Sequence, residues 1–172
     1  MTQPSETNVD PITNRVNRIK RGDDPQAIGR MRTGWAILSN QQPEGIEGCC
    51  MLLPDLPVDL LADSGCLPTP AHLNDLPHGA RAAFLTDVAL LGDVVTAATG
   101  CERLNYLMLC NQVPVLHAHI VPRFAAEDTD RRLGDPFAVY DFPGAPRADA
   151  SGAHRELFAR LREAFERRVA PS

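Results

Sequence analysis

Two histidines, His117 and His119, stand one residue apart in an apolar stretch of the sequence. On an extended strand the side-chain period is two, so both imidazoles project from one face, about 7 Å apart, whereas Leu116, Ala118 and Ile120 point to the other. An imidazole placed among core residues is costly to leave without a polar partner. The spacing therefore predicts a polar site on this face of the strand.

Three kinds of chemistry are compatible with this histidine pair. Both imidazoles could be structural, each satisfied by a backbone carbonyl. They could bind zinc or another borderline metal if a third ligand came from His72, His78, His154, a cysteine or a loop carboxylate. Alternatively, one neutral imidazole attacks a phosphorus centre while the other binds a phosphate oxygen or helps to protonate the leaving group. Residue types and spacing alone leave all three open.

The composition restricts the class of protein. The chain has 172 residues, with 17 Lys and Arg against 22 Asp and Glu, so its formal net charge is −5 at pH 7. The length suits one domain with one sizeable core, and the acidic total argues against coating a nucleic-acid polymer. No apolar run approaches the roughly 18–20 residues of a membrane helix, and the first residues lack the pattern of a secretory signal. We therefore expect a soluble, cytoplasmic protein without a membrane partner.

The cysteines agree with a cytoplasmic location. There are five, an odd number without a Cys-x-x-Cys spacing, which indicates reduced thiols. Cys49 and Cys50 are adjacent in an apolar run, so we expect their side chains on opposite faces of a strand, as small buried hydrophobes.

The elements that position the histidine pair can be predicted from apolar patterns and turn residues. Two apolar runs, residues 35–38 and 48–53, flank a Gln-Pro-Glu-Gly turn and indicate a hairpin. Residues 103–110 and 115–121 indicate a second hairpin, whose later strand carries the histidines. Between the hairpins, residues 77–100 repeat apolar side chains at three- and four-residue steps and end at glycine, which predicts one long amphipathic helix.

The two ends of the chain differ in composition from this central part, which spans residues 31–125. Residues 1–30 are polar with a basic cluster and are predicted to form an N-terminal arm. Residues 126–172 are predicted to be a C-terminal extension, at first irregular and then helical over 151–169. Three aromatic anchors are scattered through its irregular part: Phe137, Tyr140 and Phe142.

Residues 115–123 resemble the signature of the histidine triad (HIT) family, in which three histidines alternate with apolar residues on one strand and Pro-Arg often follows. His119 aligns with the third histidine and His117 with the middle one, whereas Val115 takes the place of the first. The order of elements in the central part is also similar. The run 105–114 is particularly similar to a bacterial, diadenosine-polyphosphate-hydrolase-like branch in which glutamine often replaces the first histidine.

The resemblance implies a HIT-like α+β fold with an antiparallel sheet of about five strands and one long helix. The arm at the N-terminus and the helix at the C-terminus are additions to it. The resemblance also implies a homodimer that takes a nucleotide as its small-molecule partner. No cofactor is required, although a divalent metal can accompany the nucleotide.

The function implied is a nucleotide-binding hydrolase or nucleotidyl transferase, acting on a phosphoanhydride or phosphoramidate bond at the α-phosphate of a ribonucleotide. Dinucleoside polyphosphates and nucleoside phosphoramidates are the substrate classes. By resemblance, His117 is the nucleophile that forms a nucleotidyl-histidine intermediate, and His119 binds the non-bridging phosphate oxygens. Asn40 matches a position that binds the ribose hydroxyls and Asn111 one that touches phosphate, and Gln112 could cover part of the first histidine's role.

The valine at the first triad position keeps alternative hypotheses open. The Val115 side chain can neither donate to a phosphate nor orient the middle imidazole, and the loss of one charge-assisted hydrogen bond costs roughly 1.5–3 kcal/mol. One alternative is a catalytically weak or inactive nucleotide-binding regulatory module. The other is a metal-dependent enzyme built on the His-x-His pair.

Basic side chains follow the histidine strand in the sequence. Arg123 ends the strand and could reach a distal phosphate, but an exposed position is the simpler expectation. Arg131 and Arg132 lie in a following loop that could cover the site.

Overall fold

The structure is a computed structural model that describes residues 9–61 and 69–169. The strands of these residues are β1 (Ala27–Arg30), β2 (Gly34–Leu38), β3 (Cys50–Pro54), β4 (Arg103–Leu107) and β5 (Ala118–Arg123). The α-helices are α1 (Pro11–Lys20), α2 (Val58–Leu61), α3 (His78–Thr99), α4 (Thr129–Leu133), α5 (Pro136–Val139) and α6 (Arg155–Arg168). Cys66 lies outside the described residues.

The five strands form one antiparallel sheet in the order β1-β2-β3-β5-β4. The predicted α+β architecture, a five-stranded antiparallel sheet with one long helix, is confirmed. β1 is a strand that the apolar pattern did not indicate, and it lies within the segment predicted as an arm. Its signal is weak because only Ile28 is buried and the register shifts between Ala27 and Gly29.

The long helix α3 covers one face of the sheet. It begins after Pro77 and ends at Gly100, whose φ of 68° is the left-handed conformation that glycine adopts readily. Phe84 and Leu91 are fully buried and pack with Ile120 of β5 in the main core. By length and composition α3 could cross a membrane, the only such helix in the described residues, which corrects the expectation that no apolar stretch is that long. Its apolar side chains nevertheless form the core against the sheet.

The other face of the sheet is covered in part by α1. The Asp10 carboxylate caps this helix by accepting hydrogen bonds from the backbone N–H groups of Ile12 and Thr13. Buried α1 side chains, among them Ile12, pack against Leu53 and Val115 in a second apolar cluster. The N-terminal segment therefore contributes both a packed helix and an edge strand.

The C-terminal helix α6 packs against α3 and β1. Leu161, Ala164 and Phe165 are buried and belong to the main core. Gly29 allows this contact, because a Cβ at that position would overlap the ring of Phe165. Part of the main core is therefore supplied from outside the segment 31–125.

The second hairpin has shorter strands than the pattern indicates. β4 ends at Leu107 and β5 begins at Ala118, because the chain between them leaves the sheet and turns with Cys110 at a φ of 52°. The backbone N–H of Leu116 donates to the carbonyl of Pro70 instead of to a strand. His117 therefore lies immediately before β5, and His119 lies within it.

Candidate functional site

A cavity of about 620 Å³ opens on the sheet face opposite α3. Met51 of β3 and His119 and Val121 of β5 form its floor, whereas the residues that follow β2, the β4–β5 loop and the segment after β5 form its walls. All five residues predicted for the site line this cavity: Asn40, Asn111, Gln112, His117 and His119. The fold therefore brings them together from three separate parts of the chain, and their individual roles stay predictions.

Side chains around the histidine pair alternate between the two faces of the sheet, as expected. Leu116, Ala118 and Ile120 are fully buried in the main core on the α3 side. Cys49 lines the cavity, whereas Cys50 lies in the main core, so the prediction that they point to opposite faces is confirmed. Burial raises the pKa of both thiols, which keeps them protonated.

His117 is buried and held by one specific contact. Its Nδ1 lies 2.7 Å from the carbonyl oxygen of Val115. A carbonyl oxygen can only accept a hydrogen bond, so Nδ1 carries the proton and donates it. In the neutral ring Nε2 then keeps its lone pair, which is the state required of a nucleophile.

Val115 acts here through its backbone. Its side chain is 6 % exposed and packs in the apolar cluster with α1, and it is not among the residues that line the cavity. The carbonyl of the same residue orients the His117 ring. The side chain of Val115 does not orient the middle imidazole, and the backbone carbonyl of the same residue supplies that contact.

His119 lies beside His117, with the ring centroids 5.0 Å apart and the planes at 71°. The rings lean toward each other, so they are closer than the spacing of the two residues along a strand. Burial, and secondarily the neighbouring His117, lower the pKa of His119 to about 4. His119 is therefore neutral at pH 7, and its ring N–H can donate a hydrogen bond without adding a charge.

Two phenylalanines from the C-terminal extension complete the site. Phe137 packs edge-on against His119 with ring centroids 5.1 Å apart, and Phe142 stacks on Phe137 at 4.4 Å and 24°. Both rings line the cavity, and we call them the aromatic pair. The sequence indicated them only as scattered anchors, although aromatic residues in an otherwise polar, irregular segment after the histidine strand were a usable signal.

Arg123 is not the exposed residue that was expected. Its side chain is 2 % exposed and forms an ion pair of 2.8 Å with Glu127, whose side chain is 1 % exposed. It also donates to Asn105 Oδ1 at 2.8 Å and to the carbonyl of Gly134 at 3.0 Å. The chain after β5 folds back over the guanidinium, so Arg123 does not line the cavity.

Glu127 connects Arg123 to the segment that carries the aromatic pair. The Tyr140 hydroxyl donates to Glu127 at 2.8 Å. Burial raises the pKa of Glu127, but hydrogen bonds from Arg123, Phe124 and Tyr140 outweigh it, so the pKa is lowered and the carboxylate stays charged. The Arg123–Glu127–Tyr140 network thus anchors residues 124–142 next to the histidine pair.

The metal alternative lacks a third ligand in the part of the chain that the structure describes. No group of three His, Cys, Asp or Glu side chains there could hold a metal ion. His72 and His78 are exposed, and His154 accepts a hydrogen bond from the backbone N–H of Asp149. None of these three histidines lines the cavity.

Comparison with solved structures identifies the fold. A histidine triad (HIT) protein from Sinorhizobium meliloti is 24% identical, with a TM-score of 0.61 over 86% of this chain and 93% of its own. A histidine triad protein from Bradyrhizobium japonicum is 19% identical, with a TM-score of 0.61 over 84% and 90% of the two chains. A hypothetical histidine triad nucleotide-binding protein from Sulfolobus tokodaii is 16% identical, with a TM-score of 0.60 over 88% of this chain and 91% of its own.

These likenesses show that the chain has the fold of histidine triad proteins. No protein-family model matches the sequence, and no curated protein matches it. The fold class predicted from the sequence is confirmed on this basis.

Proposed function

We propose that the chain is a member of the histidine triad family and a nucleotide-binding hydrolase or nucleotidyl transferase acting at the α-phosphate of a ribonucleotide. The observation that carries the proposal is the state of His117. Its Nδ1 is held by the Val115 carbonyl, so Nε2 is free in a cavity that also holds a neutral His119. A nucleotide ligand is supported by the fold, because one solved structure with this fold is described as a hypothetical histidine triad nucleotide-binding protein.

In the proposed reaction His117 Nε2 attacks the phosphorus in line with the leaving group. The N–P bond forms as the bond from phosphorus to the leaving oxygen or nitrogen breaks, and the leaving group takes that electron pair and, where it is basic, a proton from water. The ring then carries a positive charge, which the Val115 carbonyl stabilises through Nδ1–H. Water next attacks the phosphorus and releases a proton to solvent, the N–P bond breaks with its electron pair returning to Nε2, and a nucleoside monophosphate leaves with His117 restored.

The other predicted residues bind the substrate in this proposal. The N–H of neutral His119 donates to a non-bridging oxygen, and the Asn111 and Gln112 amides donate to the phosphate from the β4–β5 loop. Asn40, at the opposite wall, binds the ribose hydroxyls. Val115 occupies the position of the first histidine of the triad. In this proposal the amides of Asn111 and Gln112 therefore supply the hydrogen bonds to the phosphate that the first imidazole would donate.

A homodimer and a cytoplasmic location belong to the same proposal. Leu85 on α3 is 40% exposed, and Tyr106 on the sheet-edge strand β4 is 46% exposed, so both offer apolar surface for a second copy. Among the described residues, Cys49, Cys50, Cys101 and Cys110 are free thiols, which suits a reducing compartment. We propose no resident cofactor, nucleic-acid or membrane partner; a divalent metal would enter only with the nucleotide.

A second candidate function is a regulatory module that binds a nucleotide without turning it over. It is favoured by one observation: the side chain at the first triad position, Val115, packs in an apolar cluster and supplies no proton donor to a leaving group. Binding of adenosine 5′-monophosphate (AMP) without turnover of AMP phosphoramidate or diadenosine tetraphosphate would favour this candidate.

Trapping the covalent intermediate tests the primary proposal. We expect acid-free quenching and mass spectrometry, after mixing with AMP phosphoramidate, to show one adenylate on the peptide that contains His117. His117→Ala should show no adduct and no AMP release, whereas the exposed-histidine control His78→Ala should match the unmodified protein. Undiminished AMP release by His117→Ala would overturn the assignment of the nucleophile.

A further inference from the structure

The cavity contains no basic side chain other than the histidine pair. All 17 Lys and Arg residues lie within the described ranges, and none of them lines it. The other polar groups of its lining are uncharged: the Ser39 hydroxyl, the amides of Asn40, Gln41, Asn111 and Gln112, and the ring of His119, whose pKa is lowered to about 4 chiefly by burial. A bound phosphate therefore meets neutral hydrogen-bond donors.

The arginines nearest in sequence to the histidine strand are already engaged. Arg123 is paired with Glu127 and closed off from solvent. Arg131 lies over the Tyr140 ring, 5.4 Å from its centroid, and Arg132 is 3.4 Å from Glu102. A chain of several phosphates carries about one negative charge for each, and burying such charges without counter-charges is strongly unfavourable. The lining itself therefore offers no counter-charge to a second or third phosphate.

The aromatic pair borders the position predicted for that phosphate. Phe137 touches His119, the imidazole proposed to bind the phosphate oxygens, with ring centroids 5.1 Å apart. The ribose is assigned to Asn40, and the base lies beyond the ribose. The remaining group bonded to the phosphorus is the leaving group, and Phe137 and Phe142 offer it an apolar surface in the same cavity.

We infer that the cavity selects a nucleotide with one singly charged phosphate whose leaving group is an uncharged planar ring packed on Phe137 and Phe142, and that it discriminates against polyphosphates. This inference rests on the proposed function and chooses between the two substrate classes named there. The reaction is the same displacement: the N–P bond to His117 forms, the bond to the ring-bearing nitrogen or oxygen breaks, and that atom takes its proton from water.

The first test measures the contribution of the aromatic pair. Steady-state kinetics compare AMP anilide, in which nitrogen carries a phenyl ring, with AMP phosphoramidate, in which it carries only hydrogen. We expect Phe142→Ala to lower kcat/KM for the anilide about tenfold more than it lowers kcat/KM for the phosphoramidate. Leu133→Ala, in the same segment but 75% exposed and outside the cavity, is the control and should change neither.

The second test measures charge selection by competition. Diadenosine tetraphosphate and the methyl ester of AMP, which has one singly charged phosphate, compete with the anilide. We expect the inhibition constant of diadenosine tetraphosphate to be at least about tenfold higher than that of the methyl ester of AMP. Two results would overturn the inference while leaving the proposed chemistry intact. One is an equal loss of kcat/KM for AMP anilide and AMP phosphoramidate in Phe142→Ala, and the other is tighter inhibition by the tetraphosphate than by the methyl ester.

Failure of the proposed chemistry can be distinguished from failure of the inference by measuring binding. If the unmodified protein turns over neither amidate, calorimetry with the same compounds replaces kinetics. Tighter binding of the anilide than of AMP phosphoramidate, abolished in Phe142→Ala, would still support the subsite, and equal affinities would overturn it. Thermal unfolding of each variant establishes that it is folded.

Discussion

His117 and His119 show how two identical side chains acquire different properties from their surroundings. His117 is oriented by a backbone carbonyl, which selects the tautomer with a free Nε2. His119 is packed between an imidazole and Phe137, and burial disfavours its charged form. One ring is thereby suited to attack and the other to donate a neutral hydrogen bond.

Lowering the pH should destabilise the protein through His119. Its pKa is about 4 when folded against 6.5 for an unperturbed histidine, so between these values the unfolded state binds a proton that the folded state does not. The free energy of unfolding should therefore fall from pH 6.5 to pH 4, by up to about 3 kcal/mol for this residue.

Urea unfolding of the unmodified protein and of His119→Gln across this pH range isolates the contribution. The glutamine variant should lose less stability on acidification, because the other titrating groups are shared by both proteins. A midpoint near 6.5 for His119 in an NMR titration of the folded protein would contradict the prediction.

At the scale of elements, the segment from β5 to α5 is positioned by a buried polar network. Arg123 at the end of β5 binds Glu127 and the carbonyl of Gly134, and Tyr140 closes the network from the far side. The network is nearly closed to solvent, so its ion pair is little screened by salt. Its position explains how an irregular segment holds Phe137 against His119.

Breaking this network should be costly. Arg123→Met leaves the Glu127 carboxylate buried without its counter-charge, and we expect the free energy of unfolding to fall by about 3–5 kcal/mol. Urea unfolding measures this loss. The matched control is Arg103→Met, which removes an exposed pair with Glu102 and should cost less than about 1 kcal/mol. Equal losses in both variants would show that Arg123 is not structurally important.

At the scale of the whole molecule, the C-terminal extension is built into the domain. The backbone N–H of Gln42 donates to the Pro146 carbonyl, and that of Ala148 donates to the Asn40 carbonyl. The extension therefore runs from the histidine pair to the wall that carries Asn40, and then continues into α6 on the main core. The same segment supports both the cavity and the fold.

A chain ending at residue 125 should therefore not fold cooperatively. It would expose the surface of α3 that α6 covers and lose the aromatic pair. Far-UV circular dichroism with thermal unfolding tests this expectation. Leu161→Ala in the full chain, at a fully buried α6 position, should cost about 2–5 kcal/mol. A cooperative transition of the shortened chain at the unmodified midpoint would contradict the prediction.

The local pattern of the sequence determined the long helix, the central strands and the alternation that places both histidines on one face. These features depend on the periods of the helix and strand, which neighbouring residues set. The tertiary structure alone decided that the Val115 carbonyl orients His117, that Arg123 is buried, and that Phe137 meets His119. The first contact depends on how the backbone turns before β5, and the other two depend on segments that approach each other only in the folded chain. The spacing of residues along the chain does not predict such contacts.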